Sequence, residues 1–161
     1  MVERTAAVVT VSDSVSAGDN PDASGGVVVE MLTGLGFTVT DIVVIPDGEE
    51  SVADELMRLA GSVSLIVTTG GTGLSPRDLT PEGTLRVLDR QIPGLTEAMR
   101  FDTFGKVPFG MLSRGVAGLR GTCVIVNLPG SPKAVREGLS VIGPVLEHAV
   151  DIASGDFGDH R

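Results

Sequence analysis

The sequence has no Trp, no Tyr and only five Phe in 161 residues. An aromatic platform on which single-stranded nucleic acid could stack is therefore not expected. Cysteine is nearly absent too. The single thiol, Cys123, stands in the apolar run TCVIVNL, where it reads as core packing, and a disulfide framework and a thiolate zinc site are both excluded. Positive charge is scarce: 12 Lys and Arg against 21 Asp and Glu leave a net charge of −9, the wrong sign for a phosphate-backbone partner. No run approaches the roughly 18 uninterrupted apolar residues of a membrane span. The opening MVERTAAVVTVSD passes directly into a strand pattern, with no basic segment and no cleavage site. Neither nucleic acid nor membrane is expected as a partner, and the cytoplasm is the expected compartment. Only two histidines occur, His148 and His160, without metal-ligand spacing, and there is no nucleophile elbow. A small phosphorylated ligand stays open, because a local cluster of backbone donors binds an anion against the overall field.

What is abundant is Val, Leu, Ile and Ala in short β-branched runs that alternate with helix-like segments. Strands are expected over 5–12, 37–45, 63–69 and 122–128. Helices are expected from an N-cap at Ser24 through 35, over 51–60, from an N-cap at Thr80 with Pro81 in the first turn, over 95–104 and over 134–150. The length fits one domain, 1–161, with a core of about 5–150 and a frayed polar tail at 151–161. Strands joined through helices imply crossover connections and an α/β fold, a mainly parallel sheet with helices on both faces. In such sheets ligands bind beyond the carboxyl ends of the strands.

Four of those ends are polar or glycine-rich: Ser12-Asp13-Ser14, Asp47 in PDGEE, the stretch TTGGTGLSPRDLTPE from residue 68, and NLPGSPK from residue 127. They are expected to empty into one shallow basin. Gly70, Gly71 and Gly73 allow positive φ and close backbone approach, and Thr69 and Thr72 add hydroxyls, which suits an anion; a tight turn is the alternative. The stretch is neither a P-loop nor a Rossmann fingerprint, for it lacks Gly-Lys-Ser/Thr and has the wrong glycine spacing. Asp78 is either a turn acid paired with its neighbour Arg77 or, together with Asp47, a pair of carboxylates for Mg²⁺ bridging nucleotide phosphates. Ser113, Arg114, Asn127, Gly130, Ser131 and Lys133 offer polar contacts, though each alone is also an ordinary loop residue.

TTGGTGLSPRDLTPEGT, IPDGEE, MLSRGVAGLRG and VNLPGSPKAV, in this order and at this spacing, resemble the Mog/MoaB family of molybdenum-cofactor biosynthesis proteins. The family includes the bacterial molybdopterin adenylyltransferases and the gephyrin N-terminal domain, and the similarity runs from about residue 5 to 150. The resemblance implies a three-layer α/β/α sandwich, usually a homotrimer, that joins AMP from Mg·ATP to molybdopterin and hands the product to a molybdate-inserting enzyme. It implies that Asp47 and Asp78 are the catalytic acids and hold the metal. It implies that Thr69, Gly70, Gly71, Thr72 and Gly73 cradle phosphate or ribose. Ser113, Asn127, Pro129, Gly130, Ser131 and Lys133 would contact the pterin or its phosphate, and Ser12, Asp13, Ser75 and Arg114 complete the binding set. Some MoaB-type members lack the first acid or the Arg-Asp-x-Thr-Pro run and are catalytically silent; this sequence keeps both. A silent molybdopterin-binding scaffold and an unrelated nucleotide hydrolase are the competing readings.

Overall fold

The computed structural model describes residues 3–156; His160 and residues 157–161 of the expected tail lie outside them. The elements in chain order are β1 (Thr5–Val11), α1 (Asp13–Ser16), α2 (Ala23–Gly34), β2 (Thr38–Ile45), α3 (Glu49–Ala60), β3 (Leu65–Thr69) and α4 (Thr80–Val87). They continue with β4 (Arg90–Gln91), α5 (Pro93–Asp102), a 3₁₀ turn (Pro108–Leu112), β5 (Ala117–Arg120), β6 (Cys123–Leu128) and α6 (Pro132–Ser154). One sheet runs in the order β2-β1-β3-β6-β5-β4. β2, β1, β3 and β6 are parallel, and β5 is antiparallel to both β6 and β4.

Strand alternation builds two cores from alternate residues of the same strands. Ala6, Val8, Leu65, Val67, Val124 and Val126 face one side, where Val28 and Leu32 of α2 and Leu139, Ile142 and Leu146 of α6 cover them. Ala7, Val9, Ile66 and Ile125 face the other, under Val52, Leu56 and Leu59 of α3 and Val87 of α4. The result is a three-layer α/β/α sandwich with a mainly parallel sheet. Cys123 is fully buried in the second core, and burial pushes its thiol up to about 12, so it is an inert apolar filler.

β1 pairs with β2 on one flank and β3 on the other, so the chain reverses direction across the sheet between them. That is the switch point at which open α/β sheets leave a crevice. The registers Val11↔Ile45, Thr10↔Thr69 and Thr69↔Leu128 bring the four parallel strands to an end at nearly one level. Their following loops must therefore meet.

Several boundaries differ from the sequence expectation, each for a local reason. Asp22, not Ser24, caps α2: its carboxylate accepts from Gly25 N–H at 3.0 Å. Thr80 lies inside α4, because its hydroxyl is drawn to Gly70 O at 3.0 Å. Residues 105–121, expected as loop, contain the 3₁₀ turn and β5. The closing helix begins at Pro132, under a Ser131 cap, and runs to Ser154 rather than 150, where Gly155 at φ 81 stops it. Arg4 grips Asp151 through two hydrogen bonds, 3.0 and 2.8 Å, and holds that last turn against the start of β1.

A buried polar knot ties the sheet to α4. Asn127 of β6 donates to Thr68 Oγ1 and Thr84 Oγ1, each at 3.0 Å, and accepts from Val116 N–H at 3.1 Å. Replacing it with Leu leaves three polar groups without their partner. Asn127→Leu is expected to lower unfolding free energy by about 2–4 kcal/mol in urea denaturation. A loss below about 0.5 kcal/mol, the range of surface substitutions, would contradict the knot's role.

Candidate functional site

The loop after β3 is bare because three backbones converge on it. Gly70 has φ 98, and a Cβ there would overlap Val11 O at the end of β1. Its N–H donates to Leu128 O at 3.1 Å, and a Cβ on Gly130 would sit 3.3 Å from its Cα. Gly71, at φ 67, has Thr80 Oγ1 and Asp47 Oδ1 where a side chain would begin, the latter at 3.2 Å. Thr80 N–H donates to Gly71 O at 3.1 Å, and Thr69 Oγ1 donates to Pro129 O at 2.7 Å. The loop is thus pinned at both ends.

Asp47 follows β2 and Asp13 follows β1, and each accepts the other's backbone N–H: Asp13 N to Asp47 Oδ2 at 2.9 Å, Asp47 N to Asp13 Oδ1 at 3.0 Å. Arg77 locks the pair. Its guanidinium donates twice to the Asp13 carboxylate, at 3.1 Å each, and once to Asp47 O at 2.8 Å. It pairs with Asp13, not with Asp78. Asp78 Oδ2 accepts Ser75 N–H at 3.0 Å, which closes its turn. The Arg77 hydrogen bond holds the Asp13 carboxyl below its ordinary range. Burial, reinforced by the nearby Asp13 and Asp78 charges, pushes Asp47 up in spite of the Asp13 N–H it accepts.

The expected single basin is two cavities with a common wall. One, of about 310 Å³, lies over the switch point and takes Ser12, Asp47, Thr69, Gly70, Gly71, Asp78 and Gly130 from the anticipated set. No Lys or Arg lines it. Thr10 of β1 lines it as well, and so do Pro21, Ala23 and Ser24, a contribution from the start of α2 that the sequence reading missed; the small residues of NPDASGG, following a strand end, are the available signal. The second cavity, about 520 Å³, lies between α5, the 3₁₀ turn and the start of α6. Thr72, Gly73, Ser113, Pro129 and Ser131 line it together with Met99, Phe109 and Leu112. The first loop thus passes from one cavity to the other between Gly71 and Thr72, while residues 129–132 alternate between the two.

The remaining anticipated residues do other work. Arg114 donates to Gly73 O at 2.8 Å and Asp78 O at 2.6 Å and pairs with Glu82, so it ties the glycine loop to α4. Asn127 borders the second cavity, but both its amide hydrogens go to threonines. Lys133 is 80% exposed at the side of α6, 3.9 Å from Glu137. Arg100 donates to Ser113 O and Gly115 O and so sets the position of Ser113.

Among the described residues, no group of three or more His, Cys, Asp or Glu side chains is disposed to hold a metal. Asp47 and Asp78 each retain one carboxylate oxygen without a hydrogen bond among those residues, and Gly71 leaves room beside Asp47 Oδ1. Two hard oxygen donors at an anion cleft fit magnesium, which takes one or two carboxylates and completes its shell with substrate oxygens and water.

A family model described as "Probable molybdopterin binding domain" matches residues 7–148. The chain is 35% identical over 154 residues to the molybdopterin adenylyltransferase of Helicobacter pylori, covering 93% of this chain and 88% of that protein. It is 36% identical over 156 residues to the Drosophila melanogaster molybdenum cofactor synthesis protein cinnamon, covering 94% of this chain but spanning only 26% of that longer protein. The crystal structure of the molybdopterin biosynthesis enzyme MoaB from Thermus thermophilus superposes with a TM-score of 0.89 at 44% identity, over 94% of this chain and 97% of that one.

The raised Asp47 carboxyl has a consequence for stability. A folded-state value above the unfolded one means the native protein binds the extra proton, so stability falls as pH rises between the two. Asp47→Asn removes that loss and can still accept from Asp13 N–H. The variant is expected to melt above wild type at pH 7, with the gap closing as pH falls below the ordinary carboxylate range. A variant that melts below wild type at pH 7 would contradict this.

Proposed function

The chain belongs to the molybdopterin binding family, as an enzyme of molybdenum cofactor biosynthesis, and we propose that its reaction is the adenylylation of molybdopterin by ATP. An oxygen of the terminal phosphate of molybdopterin bonds to the α-phosphorus of ATP. The bond from that phosphorus to the bridging oxygen breaks, and pyrophosphate leaves with the bonding pair. The nucleophile is already ionised, so no strong base and no covalent enzyme intermediate are needed; such transfers depend on positioning and charge.

The reading rests above all on Asp47 and Asp78 lining one cleft with Gly70 and Gly71 at the switch point. Magnesium held by the two carboxylates would offset the negative charge of the phosphates and leaving group. The Gly71 N–H, which has no partner among the described residues, orients a phosphate oxygen, while Gly70, tied to Leu128 O, lets the phosphate come close because it has no side chain. Asp13 and Arg77 fix the Asp47 backbone, and Arg114 fixes the loop that carries Asp78. The neighbouring cavity, walled by Met99, Phe109 and Leu112 with Ser113 and Thr96 at its edge, suits a fused heterocycle whose phosphate crosses the shared wall.

The reading extends to a cytoplasmic homotrimer that passes molybdopterin-AMP to a molybdate-inserting enzyme. Phe101 and Phe104, exposed together at the end of α5, supply an apolar surface for assembly. No helix among the described residues is long and apolar enough to cross a membrane.

With molybdopterin, ATP and magnesium, wild type is expected to form molybdopterin-AMP and pyrophosphate and to sediment as a trimer. Asp78→Asn is expected to lower the rate by at least about 100-fold, the scale of losing one electrostatic stabiliser. Tight molybdopterin binding with no ATP-dependent product in wild type would instead mark a silent scaffold.

A further inference from the structure

Ser24 is 7% exposed and lines the cleft, yet its hydroxyl has no hydrogen-bond partner among the described residues. A serine in the first turn of a helix ordinarily serves the helix, and here it does not. Asp22 caps α2, accepting from Gly25 N–H at 3.0 Å, while Thr10 Oγ1 of β1 donates to both Asp22 oxygens at 2.9 and 3.0 Å. Those bonds hold the acid at the β1–α2 contact, and it does not line the cleft although Pro21, Ala23 and Ser24 do.

The first N–H groups of α2 follow the same division. Ala23 N–H goes to Pro21 O at 3.1 Å and Gly25 N–H to Asp22. Ser24 N–H has no partner among the described residues. One residue that lines the cleft therefore carries two unengaged donors at the positive end of a 12-residue helix. No Lys or Arg lines this cavity, so hydroxyl and backbone donors are its means of holding an anion.

We propose that the N-terminus of α2, through Ser24 Oγ and N–H, is a second phosphate subsite across the cleft from the Gly71 N–H. Its ligand is one phosphate group of a polyphosphate or of the pyrophosphate released from it. The cleft then grips a polyphosphate between two sets of donors, one on each side of the sheet's switch point. Ser24 binds rather than reacts: it supplies hydrogen bonds and transfers no proton. The identity of the ligand rests on the adenylyltransferase reading; the subsite itself does not.

The test is binding of inorganic pyrophosphate, with magnesium and without pterin, to the full chain by calorimetry. Ser24→Ala removes one donor and keeps the helix, and is expected to weaken binding by about tenfold or more, the effect of one hydrogen bond to a charged group. In wild-type ¹H–¹⁵N spectra the Ser24 and Gly25 amides are expected to shift on titration. Equal affinity in Ser24→Ala, shifts confined to residues 70–73, or no pyrophosphate binding by wild type would each overturn the subsite. Ser24-dependent pyrophosphate binding in a protein that forms no molybdopterin-AMP would keep the subsite and remove the reaction. Intact adenylylation with affinity unaltered in Ser24→Ala would do the reverse.

Discussion

Where β1, β3 and β6 end, Val11 O, Gly70 and Gly130 approach with no side chain between them. Everything in the site depends on that approach. A Cβ at Gly70 would push the third strand's loop away from the first, and the loop would no longer hang over the switch point. Thr80 then could not reach Gly70 O, and the turn that carries Asp78 would lose its anchor. Gly70 thus fixes a geometry with its own N–H spent on Leu128 O, and leaves the Gly71 N–H to the cleft. The stiff, doubly buried strands behind them leave little freedom to adjust.

On that frame, charge is arranged by mutual restraint. Asp13 and Asp47 hold each other's amides and Arg77 clamps both, so Asp47 stands in a partly buried position beside two other acids. An acid kept there against its own electrostatics is poised for a cation or a proton. Arg114 is the counterpart on the other side of the loop: it looks like a ligand-binding cation, yet its donors go to Gly73 O, Asp78 O and Glu82. With the arginines occupied by the protein itself, the cleft is left to backbone, hydroxyls and carboxylates. A binding surface of that kind suits a phosphate chain accompanied by a metal in an acidic protein.

Much of this was legible beforehand. Continuous β-branched runs such as AAVVTV and CVIVNL are typical of strands buried on both faces, and their polar ends pointed to the candidate cleft. TTGGTG and the two acids at 47 and 78 followed from where the runs stop. The short antiparallel β5 was not legible, because AGLR has no periodicity of its own and owes its strand to the neighbouring β6 edge. The capping of α2 was misjudged for a similar reason: Asp22 and Ser24 are both good caps, and only the reach of Thr10 from β1 decides between them. The division into two cavities was hidden as well, since it depends on which way successive loop residues point. Side chains whose partners are far apart in sequence, Arg77 with Asp13 and Arg114 with Glu82, gave no local signal at all.

The central claim is that phosphate and metal meet in the cleft between Asp47, Gly71 and Asp78. Titration of ¹⁵N-labelled protein with Mn²⁺ and ATP, reading paramagnetic broadening residue by residue, tests it most directly. The account predicts that the amides of residues 47, 71 and 78 broaden first, and only weakly without nucleotide. Broadening centred instead on Asp102 and Glu137, at the border of the second cavity, with those three amides left sharp, would contradict it.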